Sequence, residues 1–394
     1  MYWKTNNMID PKKIAIIGGG PGGLTLARLL LQKGIDVKVY ERDLNRDVRS
    51  QGATLDLHEN SGLKAIKAAD LLNEFKRAYR PGAEKGRVVD KMGNILFDEH
   101  EKGTTEIDFD SPNARPEIDR SDLRSLLLNS LLPDTVVWNS QFVRMTPAGA
   151  QWAIEFRNGA TVLADVVIGA DGGNSKVRPF VTPIQPFYTG ITILQGNVEN
   201  AKMKAPRVHE LLQGGKIYVH NAGKYLHISA KGDGSIDFYI SIKIDEAWAN
   251  DSRINFSDST QVRQWFKTAF AEWGGVWFEL FDNADLPILI RPQYSIPLDQ
   301  TWEAKSNLTL LGDAAHIMAP SGEGVNLAML DALELSECLT NEHFKDTQTA
   351  IAAYETIMRE RAAQEAATSF EMIEWMHAED AQDRIVEFFK GITA

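Results

Sequence analysis

The chain has 394 residues, 43% of them apolar, and a formal net charge of −12. That length and apolar content support a large core and more than one lobe, and the acidic balance argues against nucleic acid as a main partner. The single cysteine, Cys338, excludes an intrachain disulfide and gives no sign of an oxidising compartment.

The opening segment, "MYWKTNNMIDPKK", has no apolar stretch of the kind a secretory leader needs. No run approaches the ~20 apolar residues of a membrane span, so a soluble, cytoplasmic, monomeric protein without a membrane partner is expected. "KIAIIGG", from Lys13, reads as a short buried parallel strand. Pro21 and Gly22-Gly23 open a helix through "LTLARLLLQKG" that Gly34 terminates. "IDVKVYE" is a second strand, so about thirty residues make a βαβ unit. "SDLRSLLLNSLL", from Ser121, is an amphipathic helix capped by Ser121 or Asp119. "VVWNSQFVRMTP" and "AQWAIEFRNGATVLADVVIGAD" read as strands, with Asn158-Gly159 as a hairpin turn.

Across 181–297 the texture changes. "HELLQGGKIYVHNAGKYLHISAKGDGSIDFYISIKI" alternates in short segments, and its Gly-Gly, Asn-Ala-Gly and Gly-Asp-Gly breaks fit hairpins of an antiparallel sheet. A helix follows around "STQVRQWFKTAFAEW", then "NLTLLGDAAH" returns to buried-strand texture. A long helical pattern over 349–390, rich in Ala and Glu, ends the chain. Cys338, within an apolar helical pattern, is expected to be a core thiol. Trp265, Trp273 and Trp277 have near-helical spacing and are expected to pack rather than stack on a ligand. His58, His209, His220 and His227 lack metal-ligand spacing, so no metal centre is expected, and no G-x-S-x-G occurs.

Two glycine turns carry the chemistry. Gly18, Gly20 and Gly23 have G-x-G-x-x-G spacing between the first strand and its helix. The first glycine permits the tight turn, the second a close approach to a pyrophosphate, and the third close packing of helix on strand. The helix start then faces the phosphates. Glu41, ending the second strand, is placed to accept hydrogen bonds from an adenosine ribose, and its charge disfavours a 2′-phosphate. The second turn lies in "LLGDAAHIMAPSGEGVNLAMLDALEL", where Asp313 follows a buried strand and Gly322 and Gly324 precede another helix. Two such helix starts, about three hundred residues apart, suit a two-headed cofactor with adenosine at one end and an electron-poor ring at the other. His316, in the same stretch, is expected to support the loop.

Three motifs, the Gly18-Gly20-Gly23 fingerprint, "GADGGNSKVR" from Gly169 and "GDAAHIMAPSGEG" from Gly312, stand in order along nearly the whole chain. In these the sequence resembles the class A flavoprotein monooxygenases of the para-hydroxybenzoate hydroxylase fold. "QGATLDLHENSG", "RSDLRSLLLNSL" and "DTVVWNSQ" are similar to segments of the TetX-type tetracycline-inactivating enzymes. The resemblance implies an α/β fold: a Rossmann-like FAD-binding domain of the GR2 type, interrupted by a β-sheet substrate domain and followed by a long C-terminal helix. It places the FAD-binding domain at 1–80, 105–180 and 297–345, the substrate domain at 81–104 and 181–296, and the bridging helix at 346–394.

Residue by residue, the resemblance implies that Glu41 holds the adenosine ribose and Arg42 flanks the adenine. Arg49 and Asp56 lie near the isoalloxazine, and Arg120 contacts the ribityl-phosphate region. Asp171, of the Asp-Gly pair, serves FAD and a transient NADPH. Asp313 holds the ribityl or pyrophosphate part, and Gly322, Gly324, Val325 and Asn326 supply backbone around the flavin ring. The implied activity is an NADPH-consuming hydroxylation in which a flavin C4a-hydroperoxide, formed with O2, passes one oxygen to an electron-rich carbon, with no side-chain nucleophile. Two features depart from the family. "PSGEG" is one residue shorter than the common P-x-x-G-Q-G form. Where TetX-type enzymes use Gln, Arg and His on the drug, this chain has Gln195, Lys216 and Asp237. Lys loses the planar guanidinium fork, and Asp reverses the charge. An aromatic or polycyclic substrate is therefore expected, with tetracyclines among the candidates. A flavin oxidoreductase without oxygen insertion and a non-catalytic flavin- or drug-binding protein remain alternatives.

Overall fold

A computed structural model describes residues 12–48, 54–102 and 107–392; Arg49 lies outside them. The first parallel unit is β1 (Ile14–Ile17), a helix (Pro21–Gln32) and β2 (Val37–Tyr40). Next come β3 (Leu55–Asp56), a Gly62–Ala68 helix, β4 (Gly86–Val89), β5 (Ile95–Asp98) and β6 (Glu117–Ile118). The Arg120–Asn129 helix leads to β7 (Val136–Val137), β8 (Phe142–Ala148), β9 (Gln151–Phe156), β10 (Thr161–Ala164) and β11 (Val166–Gly169). Then follow β12 (Phe187–Val198), a Pro206–Leu212 helix, β13 (Lys216–Asn221), β14 (Lys224–Ala230) and β15 (Ile236–Lys243). Helices Ser259–Ala269 and Phe278–Asn283 precede β16 (Leu289–Ser295) and β17 (Leu308–Leu310). Three helices, Gly324–Thr340, Thr347–Met376 and Ala381–Ile392, close the described chain.

The parallel sheet has the order β17-β11-β1-β2-β7. Strands β1 and β11 are continuous apolar runs with every residue buried, because the Pro21–Gln32 helix and the β8–β10 sheet pack against the parallel sheet, with Phe156 of β9 stacked on Tyr40 of β2. The Gly324–Thr340 helix packs on the Pro21–Gln32 helix, which Gly34 ends in the left-handed region at φ 75°. A second sheet, β16-β12-β15-β14-β13-β4-β5, is antiparallel except for β13 with β4. Its strands alternate. Ile217, Val219, Leu226, Ile228, Phe238 and Ile240 share one apolar face with Val208, Leu212, Phe266 and Phe281 of the helices behind it. Each such burial contributes roughly 1.5–3 kcal/mol. The opposite face carries Gln195, Lys216, Tyr218, Tyr225, His227, Asp237 and Tyr239; Tyr218 stands opposite His227, and His227 and Gln195 both stand opposite Tyr239.

Several local expectations are corrected. "HELL" is the end of the Pro206–Leu212 helix, so Gly214-Gly215 joins helix to strand instead of turning a hairpin. Gly215 is needed there because a Cβ would sit 2.2 Å from the Lys85 carbonyl oxygen. Asp119 occupies the cap position of the Arg120–Asn129 helix but makes no capping bond. Its carboxylate instead accepts from the Gly232 N–H at 2.9 Å. The terminal helix is broken after Met376. There the His377 ring bonds the Ile373 carbonyl (2.8 Å) and Ser241 Oγ (2.9 Å), spending on local and sheet contacts what a continuous helix would need. Trp273 and Trp277 lie beyond the Ser259–Ala269 helix, with ring centroids 6.3 Å apart in the aromatic core behind the sheet. Cys338 is half-buried, and burial pushes its thiol pKa up. No helix of the described residues is long and apolar enough to cross a membrane.

Candidate functional site

The first glycine turn is fixed by contact. Gly18 has φ 114°, and a Cβ on it would lie 2.2 Å from the Ala170 carbonyl oxygen; one on Gly23 would lie 2.2 Å from the Gly18 oxygen. At Gly20 a Cβ would meet nothing within 4 Å. The turn is thus packed on its inner side and open on its outer side, where the first N–H groups of the Pro21–Gln32 helix have no intrahelical acceptor. Glu41 is buried at the end of β2. Its carboxylate accepts from the Gly19 N–H (2.6 Å) and the Asp43 N–H (3.0 Å), which ties the turn to the strand. Arg42 beside it is exposed.

The motif after β11 braces the loop after β17. The Asp171 carboxylate is turned into its own loop, accepting from Ser175 Oγ (2.6 Å) and the Lys176 (2.7 Å) and Val177 (3.3 Å) N–H groups. Arg178 then donates to the Ala314 (2.7 Å), Asp313 (2.8 Å) and Gly173 (3.0 Å) carbonyls. Behind the same loop, Asp331 is fully buried. It accepts from the Gly312 N–H (2.8 Å), meets His316 Nε2 at 2.6 Å and pairs with Arg361 at 2.7 Å. His316 is therefore a buried support, its pKa held up by Asp331 against its own burial.

Between these loops Asp313 and Arg120 stand open. Asp313 is exposed to solvent, yet protein surrounds it closely enough that desolvation raises its pKa against the pull of His316, Arg120 and Arg178. Its side chain is therefore on the floor of a cleft. Neither it nor the Arg120 side chain has a hydrogen-bond partner among the described residues. Burial lowers the Arg120 pKa, and the charges raising it come from Tyr239, Asp313 and Asp237, so Arg120 sits between the cleft floor and the polar sheet face. Gly324 borders Asp313: its missing Cβ would lie 3.8 Å from Asp313 Oδ1. Gly322 (φ 91°) is open. Val325 is half-buried, while Asn326 is buried with its side chain already engaged.

On the sheet face, Gln195 Nε2 donates to Asp237 Oδ2 and Tyr239 OH, both at 3.2 Å. Burial pushes Asp237 up to about 6. Lys216 is ion-paired with Glu117 of β6, which together with Asp56 holds its ammonium well above the usual lysine range despite burial. The three residues thus lie on one face, but Lys216 is committed to a carboxylate of another sheet. His227 Nε2 meets Ser229 Oγ at 2.8 Å, its Nδ1 is unpaired, and burial lowers its pKa to about 3, keeping the ring neutral.

Sequence reasoning missed the residues that connect these parts: His58, Glu117, Arg178, Glu323, Asp331 and Arg361. Asp56 ends β3 and His58 follows two residues later, its ring turned back to the Asp56 carboxylate at 3.0 Å. Arg178 and Glu323 lie within the quoted motifs, but their partners, like those of the others, come from other elements of the chain.

The donors and open glycines fit an elongated cofactor with phosphates: N–H groups at the first turn, an Arg120 guanidinium without a hydrogen-bond partner among the described residues, and an open second turn. The chain belongs to the FAD-binding domain family, whose model matches residues 12–369. Among curated relatives, Monooxygenase penA of Penicillium thymicola is 28% identical, covering 89% of this chain and 92% of that protein. The FAD-dependent urate hydroxylase of Mycolicibacterium vanbaalenii is 29% identical, covering 94% and 90%. The fold is shared with the tetracycline destructase Tet(55), at a TM-score of 0.74 and 21% identity over 95% of this chain and 94% of that one. The chain thus shares its family and its fold with FAD-dependent monooxygenases.

Proposed function

We propose that this protein is an FAD-dependent, NADPH-consuming monooxygenase that hydroxylates an aromatic or polycyclic small molecule. The observation that carries this reading is the cleft in which Arg120 and Asp313 have no hydrogen-bond partner among the described residues, between two open glycine turns and a polar, ring-lined sheet face. FAD, when bound, supplies the electron transfer from nicotinamide and the delivery of one oxygen atom from O2. The chain's own part is to bind and orient. The first N–H groups after Gly20 and the Arg120 guanidinium would take the pyrophosphate and ribityl-phosphate charge. Glu41 and Arg42 would hold the adenosine end. Asp313 would accept from ribityl hydroxyls. Backbone at Gly322, Gly324, Val325 and Asn326 would line the ring.

Substrate recognition falls to Gln195, Asp237, Tyr239 and the neighbouring Tyr218, Tyr225 and His227. The rings offer stacking surfaces, and the neutral His227 ring lies among them, its Nδ1 buried without a hydrogen-bond partner among the described residues. Lys216, paired with Glu117, brings no unbalanced charge to this wall. The FAD-dependence and urate chemistry of the 29% identical relative support a planar, polar ring system as substrate. Tetracyclines remain candidates through shared fold alone.

The test is substrate-stimulated NADPH oxidation by the purified flavoprotein, with mass spectrometry of the product, over a panel of purines, hydroxylated aromatics and tetracyclines. A product heavier by one oxygen is expected. Stimulated NADPH use with no oxygen gained would replace the reading with a simple oxidoreductase, and no NADPH use with any ligand would replace it with a binding protein.

A further inference from the structure

His58 lies outside every role assigned above, yet both of its ring nitrogens face carboxylates. Nε2 is 3.0 Å from Asp56 Oδ2, and Nδ1 is 3.2 Å from Glu323 Oε2. Two acceptors require two N–H donors, so the ring is a cation bridging β3 and the second glycine turn. The backbone around it is pinned separately. Asn326 Oδ1 accepts from the His58 (3.0 Å) and Gly62 (3.2 Å) N–H groups, and Asn326 Nδ2 donates to the Asp56 carbonyl (3.0 Å). Asn326 thus anchors the helix that starts at Gly324, whereas the turn before it has no comparable packing. Gly322 has open space where a side chain would be, and Gly324 only the Asp313 carboxylate.

Resting on the reading that FAD occupies this cleft, we propose that His58 is a positioning residue: its bridge from Asp56 to Glu323 holds the Gly322–Gly324 turn in the shape that binds FAD. The shortened "PSGEG" then has a physical sense. Glu stands where the common form has Gln, and the charge makes the turn an ion-pair partner of His58.

The groups facing the bridge decide its pH range. Asp56 and Glu323 bond to the ring, and Glu365 of the Thr347–Met376 helix faces both His58 and Glu323. Lys216, with Glu117 behind it, faces Asp56 from the other side, and Arg361 faces Glu365. Burial disfavours the imidazolium, but the two bonded carboxylates outweigh it and raise its pKa to about 9. A base whose pKa is raised by the fold holds its bridge fully below its ordinary value of 6.5 and loses it as pH rises through about 9. Without the imidazolium, Glu323 faces Glu365 unneutralised and the turn is pushed off β3.

Apoprotein is titrated with FAD from pH 6.5 to 10, with flavin fluorescence and the visible spectrum of the bound flavin as readouts. Wild-type affinity is expected to hold to about pH 8 and then fall through pH 9. His58→Gln should bind about tenfold more weakly at pH 7, the scale of one charge-assisted hydrogen bond, with no fall through pH 9. Glu323→Gln, which keeps a hydrogen bond and restores the commoner turn residue, should lose less at pH 7 and also lose the pH dependence. It keeps the test open if His58→Gln does not fold. Wild-type affinity with a wild-type pH profile in either folded variant would overturn the proposal. Wild-type protein that binds no FAD at any pH would overturn the functional reading, and this inference with it.

Discussion

The two glycine turns of this molecule, which the proposed FAD site would use together, are held by different forces. At Gly18 and Gly23 the backbone is so close to other backbone that a single methyl group would overlap a carbonyl oxygen at 2.2 Å. At Gly322 and Gly324 there is room, and the nearest firm connection is the charge bridge from His58 to Glu323. Packing forces respond to volume and ignore pH; charge bridges tolerate volume and respond to pH. The proposed cofactor site would therefore have a rigid end and an adjustable end.

Gly18→Ala attacks the rigid end and should cost the most, about 4 kcal/mol or more, since a steric overlap adds to a left-handed backbone strain. Loss of soluble, yellow protein is the expected result, and a normal melting curve would break the contrast. Next in size is Arg361→Ala, which leaves Asp331 buried with only His316 as a charged partner. It should lower stability by about 3 kcal/mol. Thermal denaturation with and without FAD checks it, because Asp331 supports the loop that carries Asp313. A smaller effect concerns acid. His220 and His227 are both buried as neutral rings with pKa values near 3. A depressed base gives stability that is complete above 6.5 and is lost as pH falls toward 3. Melting temperature should drop over that interval, and His227→Gln should flatten the drop while costing about 1 kcal/mol at neutral pH for its lost Ser229 contact. Gly322→Ala should be the mildest, about 1 kcal/mol of backbone strain at φ 91°. FAD titration should show a loss of affinity larger than the shift in melting temperature, the reverse of a packing defect.

The βαβ unit around Gly18, the helix ends at Gly34 and the alternation of β13–β15 were legible because each is a local pattern within one or two elements. Other features depend on distant pairing and left no such mark. The β4–β5 hairpin joins the second sheet through β13, far along the chain, and the residues alone give no partner for it. "HELLQ" was misread because four apolar or long residues suit a strand as well as one helical turn. At the site, glycines and terminal acids were readable as motifs. The bridging roles of His58 and Asn326 span 264 to 270 positions and come only from three-dimensional proximity. Gln195, Lys216 and Asp237 came from the resemblance alone; they share one face of the second sheet, but the partner that occupies Lys216 belongs to β6, which no pattern within that sheet points to.

The position of β17 has a consequence for how the protein is made. This strand lies at one edge of the parallel sheet beside β11, and all of β12–β16 is threaded between the two. The sheet that starts to form with the first residues cannot be completed until the whole second sheet has left the ribosome. Such long-range closure is slow, and the half-finished sheet exposes β11 as an apolar edge meanwhile. Expression of 12–180 alone should therefore yield aggregate rather than a small flavin-binding domain, and assistance from a chaperone that shields strand edges should raise the yield of the full chain.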